Sequence, residues 1–67
     1  MITVHINGQA QVFEAQLTLA ELLTRIDLAG KRLAVECNGD IVPRSQHGDA
    51  VIVDGDRLEI VVAVGGG

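Results

Sequence analysis

Hydrophobic and polar residues alternate at the start of the chain. Residues 2–6 read Ile-Thr-Val-His-Ile, and this period of two predicts a strand with one buried face. Asn7-Gly8 follows, and the pair is a strong hairpin signal because a type I′ turn needs positive φ at both central residues. We therefore expect residues 9–14 to form the returning strand, in which Phe13 interrupts the alternation.

The next segment has the start signals and the periodicity of a helix. Thr18 is a candidate N-cap, and Glu21 lies three residues later, as a capping box requires. A stripe of four apolar residues then recurs at helical spacing, namely Leu19, Leu22, Leu23 and Ile26. We expect the helix to end near residues 27–30, where Gly30 can adopt the left-handed conformation of a C-terminal cap or turn.

The second half of the chain contains three further segments that predict strands, together with a brief apolar segment. Residues 33–37 alternate, and residues 41–42 form a short apolar pair that Pro43 should confine to an edge or a strand end. Residues 51–53 are a brief apolar segment before a turn, and residues 57–62 alternate again. In this last strand Leu58, Ile60 and Val62 share one face, and Arg57, Glu59 and Val61 share the other.

The order of these elements predicts an α+β fold. One helix must cover one face of a mixed sheet, because nothing else buries both the helical stripe and the inward strand residues. This arrangement matches a β-grasp, ubiquitin-like architecture. We expect residues 1–64 to form that domain and residues 65–67 to form a flexible glycine tail. We also expect the strand after the helix to lie parallel to its neighbour, through a right-handed crossover.

Size and composition exclude several classes of function. The chain has 67 residues, which leaves little room for an enclosed catalytic pocket. A net charge of -4 and a single aromatic residue, Phe13, argue against nucleic-acid binding. The single cysteine, Cys37, fits a reducing compartment. Neither a secretion signal nor an apolar run of membrane-spanning length is evident, so we expect a cytoplasmic protein.

The glycines at residues 65–67 are the most unusual feature of the sequence. Glycine loses more backbone entropy on ordering than any other residue, and three in a row contribute no side chain to a core. The group in this segment that can take part in chemistry is the α-carboxylate of Gly67. The segment could equally be a disordered tail or a remnant of cloning, so the glycines alone do not decide a function.

Three segments of the sequence are distinctive in combination: residues 34–44 (AVECNGDIVPR), residues 54–61 (DGDRLEIV) and residues 64–67 (VGGG). They resemble the ThiS family of sulfur carriers in thiamin biosynthesis. The likeness also extends to the chain length and to the opening hairpin at Asn7-Gly8. A terminal Gly-Gly pair is shared by all ubiquitin-like carriers, whereas its combination with the two internal segments is much more specific.

The resemblance implies a carrier that other enzymes act on. In the family, an ATP-using enzyme called ThiF adenylates the terminal carboxylate, here that of Gly67. Sulfur from a cysteine desulfurase or a related donor replaces AMP, and the resulting thiocarboxylate supplies the thiazole synthase, ThiG. We therefore expect no bound cofactor, because ATP is used by the activating enzyme, and we expect the carrier itself not to be an enzyme.

The residues before the terminal glycine are expected to contact the partners. Glycines at 65 and 66 would pass through a narrow channel, because they lack side chains. The alternation of the last strand leaves Val61 on the open side and continues to Ala63. With Val64, these residues are predicted to belong to the docking surface, because exposed apolar patches mark interfaces.

Three other functions remain open at this point. The first is a carrier of the same chemistry in another pathway, the MoaD-like small subunit of molybdopterin synthase. The second is a ubiquitin-like modifier that is joined to lysines. The third is a structural interaction domain whose glycine tail has no role.

Other polar residues have simpler interpretations. Cys37 could accept a persulfide, but its inward slot favours a small core residue. Arg44 could contact a partner, although a solvated role is favoured. His5 and His47 are far apart in sequence and are expected at the surface. The remaining candidates for a cation site are Asp49, Asp54 and Asp56. Aspartate is typical of turns, so we expect these residues to stabilise turns and we expect no metal site.

Overall fold

The computed structural model describes residues 1–63. Its seven strands are β1 (Ile2–Ile6), β2 (Gln9–Phe13), β3 (Leu17–Thr18), β4 (Leu33–Cys37), β5 (Asp40–Ile41), β6 (Val51–Ile52) and β7 (Arg57–Val62). Its helices are α1 (Leu19–Arg25) and a 3₁₀ turn at Arg44–Gln46.

The strands form one large mixed sheet and one small sheet. The large sheet has the order β2-β1-β7-β4-β5, and the small one pairs β3 with β6. β1 and β7 are parallel, whereas the β1–β2, β4–β7 and β4–β5 pairs are antiparallel. The last strand therefore lies in the centre of the sheet, although it is formed by the end of the described chain.

The prediction that the strand after the helix lies parallel to its neighbour was wrong. That strand, β4, is antiparallel to both of its neighbours. In the sheet, β7 lies between β1 and β4, so β4 does not pair with β1. The parallel neighbour of β1 is β7. The short β5 does lie at an edge of the sheet, as Pro43 led us to expect.

The capping box predicted for α1 is present in full. The Thr18 hydroxyl accepts a hydrogen bond from the Glu21 N–H at 3.1 Å, and the Glu21 carboxylate accepts one from the Thr18 N–H at 2.8 Å. The helix ends earlier than Gly30, because Asp27 adopts the left-handed conformation with φ of 64°. The Leu28 N–H then reaches back to the Leu23 carbonyl at 2.8 Å, as in a Schellman cap. Gly30 also has positive φ, in the turn that follows.

The core lies between α1 and one face of the large sheet. Twelve buried hydrophobic residues form it: Ile2, Val4, Ile6, Phe13, Leu17, Leu19, Leu22, Leu23, Val35, Ile52, Leu58 and Ile60. One helix thus covers one face of a mixed sheet, which confirms the β-grasp fold. Phe13 lies opposite Ile2 in the β1–β2 ladder and faces the core with it. The apparent break in alternation arises because Val12, on the other face, is exposed.

The surface position predicted for His47 was also wrong. His47 is buried, and its Nε2 lies 3.1 Å from the Val42 carbonyl oxygen. A carbonyl oxygen only accepts, so Nε2 carries the proton of this hydrogen bond. The His47 carbonyl in turn accepts the Ala20 N–H at 2.9 Å, which ties the 3₁₀ segment to the start of α1. His5 is half-buried on the face of the sheet that α1 does not cover.

Candidate functional site

The segment that leads to the terminal glycines is anchored along one side. We call Val61, Val62 and Ala63 the tail base. Val61 and Val62 pair with Ala34 and Leu33 of β4. Beyond the strand, the Ala63 N–H donates to the Arg32 carbonyl at 2.8 Å. The described backbone is therefore held to the sheet up to its last residue.

A side chain from the first hairpin anchors the other side of the same strand. Asn7 has φ of 50°, as the type I′ turn requires. Its Oδ1 accepts the Ile60 N–H at 2.7 Å, and its Nδ2 donates to the Ile60 carbonyl at 3.0 Å. One side-chain amide thus replaces a backbone partner and extends the contact between β1 and β7 beyond the end of β1. The sequence indicated the turn at this position, but not this contact.

The face of the sheet that α1 does not cover is apolar near the tail base. Val61 is 67% exposed and lies opposite the exposed Ala34. In the next row of the sheet, Glu59 pairs with Glu36, and Glu36 pairs with Ile41, which is 73% exposed. We call Ala34, Ile41 and Val61 the open-face patch. Exposed apolar groups of this kind mark interaction surfaces, and here two carboxylates lie beside them.

The structure describes only part of the predicted site. Val61 lies on the open side of the last strand, as its alternation indicated, and Ala63 is exposed directly after that strand. Val64, Gly65, Gly66 and Gly67 lie outside the described residues. The roles assigned to all six residues, and the division between domain and tail, stay predictions.

Cys37 lies in a setting that favours the protonated thiol. The side chain is partly buried against the core. Burial, together with the nearby carboxylates of Asp56 and Asp40, raises the pKa of the Cys37 thiol. The thiolate is the nucleophilic form of cysteine, so this environment opposes a role as persulfide acceptor and agrees with the packing role predicted from the sequence.

The aspartates near the final turn act as backbone acceptors. Asp54 Oδ1 accepts the Thr3 N–H at 2.7 Å, and Asp56 Oδ2 accepts the Val53 N–H at 2.9 Å. Asp56 Oδ1 also accepts the Asn38 side-chain amide at 3.1 Å. The bond from Val53, three residues away, confirms that Asp56 stabilises the turn, whereas Asp54 joins this turn to β1.

Two features are absent from the described part of the chain. Within residues 1–63, no three His, Cys, Asp or Glu side chains come together as metal ligands would. Over the same residues, no helix has the length and apolar character that crossing a membrane requires.

The family of the chain follows from comparison with known proteins. Residues 4–67 match the model of the ThiS family. The chain belongs to the ThiS family. This match favours a carrier of thiamin biosynthesis over the molybdopterin synthase subunit considered as an alternative.

The relatives of this ThiS-family chain are of two lengths. The sulfur carrier protein ThiS of Escherichia coli (strain K12) is 34% identical over 61 residues, which cover 91% of this chain and 92% of the relative. A thiazole synthase of Paramagnetospirillum magneticum is 42% identical over 62 residues, or 92% of this chain. A second thiazole synthase, from Magnetococcus marinus, is 38% identical over 64 residues. The chain spans 19% and 20% of the length of these two synthases.

A solved structure supports the same family and fold. The crystal structure of the thiamine biosynthesis protein ThiS from Geobacter metallireducens superposes with a TM-score of 0.84 at 28% identity. The match covers 98% of this chain and the whole of the other.

Proposed function

We propose that this chain carries sulfur for thiazole formation in thiamin biosynthesis, as a thiocarboxylate on Gly67. The observation that carries the proposal is the ThiS-family match, which extends over residues 4–67 and includes the three glycines. The likeness to a named sulfur carrier along 91% of the chain supports it. The cytoplasmic location expected from the sequence belongs to the same proposal.

The proposed chemistry begins with activation of an unreactive group. An ATP-dependent, ThiF-like enzyme joins the Gly67 carboxylate to AMP and releases pyrophosphate. The terminal sulfur of a persulfide, formed by a cysteine desulfurase or a related donor, attacks the acyl carbon, and the bond to AMP breaks. A thiol then reduces the acyl disulfide and leaves the thiocarboxylate. The carrier supplies the acyl group, whereas the reactive centres belong to its partners.

The anchored tail base limits the entropic cost of presenting the glycines to a partner. Ordering three glycines in an active site costs about 3–6 kcal/mol, at about 1–2 kcal/mol each. Because Ala63 is already bonded to Arg32, the residues before the tail add little to this cost. Docking of the folded body must offset the remainder. We propose that the open-face patch, Ala63 and Val64 provide that contact.

The partner that receives the sulfur is proposed to be a thiazole synthase, ThiG. Two proteins named thiazole synthase contain a segment similar to almost the whole of this chain. The presence of both parts in one relative is expected if the two act together. Copurification of a separate thiazole synthase with this chain would support the proposal, whereas recovery of the large molybdopterin synthase subunit instead would contradict it.

Intact-mass analysis tests the mechanism directly. The chain is incubated with the activating enzyme, ATP and a sulfur source, and the expected gain is that of replacing one oxygen by sulfur, located at Gly67 by fragmentation. Omission of ATP and deletion of Gly67 should each abolish the gain. Cys37→Ser is the matched control and should still be loaded.

Two results would count against the mechanism. An added sulfur atom on Cys37, without exchange at Gly67, would indicate a persulfide carrier instead. A ladder of conjugates to lysines in a lysate would indicate a protein modifier.

A further inference from the structure

A cavity of about 320 Å³ lies between the second half of α1 and the 3₁₀ segment. Leu23, Leu28 and Leu33 contribute apolar lining, and Lys31 and Arg44 contribute cationic lining. We call this cavity the basic groove. Its size is at the lower end of the range for small-molecule sites, and it is large enough for one or two side chains of a partner.

The basic groove lies beside the tail base. Arg44 is exposed, and its Nη2 donates to the Lys31 carbonyl at 3.4 Å. The next carbonyl along the chain, that of Arg32, accepts the Ala63 N–H. Leu33, which lines the groove, pairs with Val62. A protein that takes hold of the residues after Ala63 therefore comes close to the lysine and arginine of the groove.

The charge of the groove is opposite to that of the chain as a whole. The net charge is -4, with only five lysines and arginines. Three of these five, Lys31, Arg32 and Arg44, lie on the segments that meet at the groove. An apolar cavity with cationic edges is complementary to an apolar side chain flanked by carboxylates, and such complementarity gives interfaces their specificity.

We propose that the basic groove docks an acidic segment of the activating enzyme. In this arrangement an apolar side chain of that segment occupies the groove, and its neighbouring carboxylates pair with Lys31 and Arg44. The inference rests on the proposed function, because the occupant is the enzyme that adenylates Gly67. The proposal gives the exposed Arg44 a role in partner binding, whereas the sequence favoured a solvated role.

Steady-state activation kinetics test the docking site. Pyrophosphate release is measured against carrier concentration for the wild type, Arg44→Gln and Lys31→Gln. Each charge removed should raise KM for the carrier about two- to fivefold, as expected for an exposed ion pair, with kcat unchanged. Added salt should raise KM of the wild type more steeply than that of either variant.

A steric variant and a matched control separate docking from general effects. Gly48 lines the groove, its φ is not positive, and a Cβ built there meets no atom within 4 Å. Gly48→Leu should therefore fold normally and raise KM by filling the groove. Arg25→Gln removes a cation of α1 that does not line the groove and should leave KM unchanged. Circular dichroism checks that every variant is folded.

The possible results distinguish this inference from the proposed function. Normal activation of all three groove variants would overturn the docking site and leave the carrier function intact. A wild-type chain that the enzyme does not adenylate would overturn both. Amide shifts at the groove on titration with inorganic phosphate, together with unchanged KM in the variants, would identify a small-anion site and overturn docking.

Discussion

The side chain of Asn7 provides the sharpest test of how the tail base is held. It makes two hydrogen bonds to Ile60, at 2.7 and 3.0 Å, in a partly buried position. Asn7→Gly removes both bonds but keeps a residue that adopts positive φ without strain. The substitution therefore isolates the side-chain contact from the turn conformation.

The expected loss is a large share of the total stability. Two hydrogen bonds at about 0.5–1.5 kcal/mol each give about 1–3 kcal/mol. A domain of this length has a free energy of unfolding of about 3–10 kcal/mol, at about 0.05–0.15 kcal/mol per residue. The melting temperature should fall by about 4–8 °C for each kcal/mol lost. Asn7→Asp should also destabilise at neutral pH, because a carboxylate oxygen would then face the Ile60 carbonyl.

Urea unfolding followed by far-ultraviolet circular dichroism is the suitable assay, because the chain contains neither Trp nor Tyr. Asn38→Gly is the matched control. Asn38 occupies a second Asn-Gly turn with φ of 52°, and its bonds to Arg57 and Asp56 are exposed, so its loss should be smaller. A change below about 0.5 kcal/mol for Asn7→Gly, less than one ordinary hydrogen bond, would refute the reasoning, as would an equal loss for Asn38→Gly.

Three further predictions concern the helix cap and the thiol. Thr18→Ala should lower the free energy of unfolding by about 0.5–2 kcal/mol, and an unchanged urea midpoint would contradict the capping role. Hydrogen bonds from the Thr18 backbone and side chain lower the pKa of Glu21, so its stabilising contribution is present above the unfolded-state pKa and is lost as pH falls through the lowered folded-state value. In the Glu21→Gln variant, the free energy of unfolding should therefore fall less steeply as the pH is lowered. A fall as steep as that of the wild type would argue against this role of Glu21. Burial raises the pKa of Cys37, so disulfide exchange with Ellman's reagent at pH 8 should be slower than for glutathione; an equal or faster rate would indicate an activated thiol.

Local signals in the sequence predicted most elements of the fold. The Asn7-Gly8 turn, the Thr18 capping box and the alternation of residues 57–62 were all confirmed, because each depends on residues a few positions apart. The helix α1 ends at Arg25, just before the range 27–30 expected from the sequence. Asp27 adopts the left-handed conformation in place of a glycine, and aspartate is only an occasional choice for that position.

The errors concern residues whose environment is formed by distant parts of the chain. His47 was expected at the surface, yet it is buried and its carbonyl accepts the Ala20 N–H of α1. The parallel neighbour expected for β4 depended on which strand occupies the centre of the sheet. The open-face patch was only partly anticipated, through Val61, because Ala34 and Ile41 join it by cross-strand pairing.

Periodicity, turn residues and motifs are local properties, and they were enough to predict α1, the strands of the large sheet and the family resemblance. The position of β7 between β1 and β4, the contact of Asn7 with Ile60 and the location of the basic groove beside the tail base follow from tertiary packing. These features join residues that are far apart along the chain. Their energies depend on which surfaces the packed helix and sheet leave in contact, and no local pattern specifies that choice.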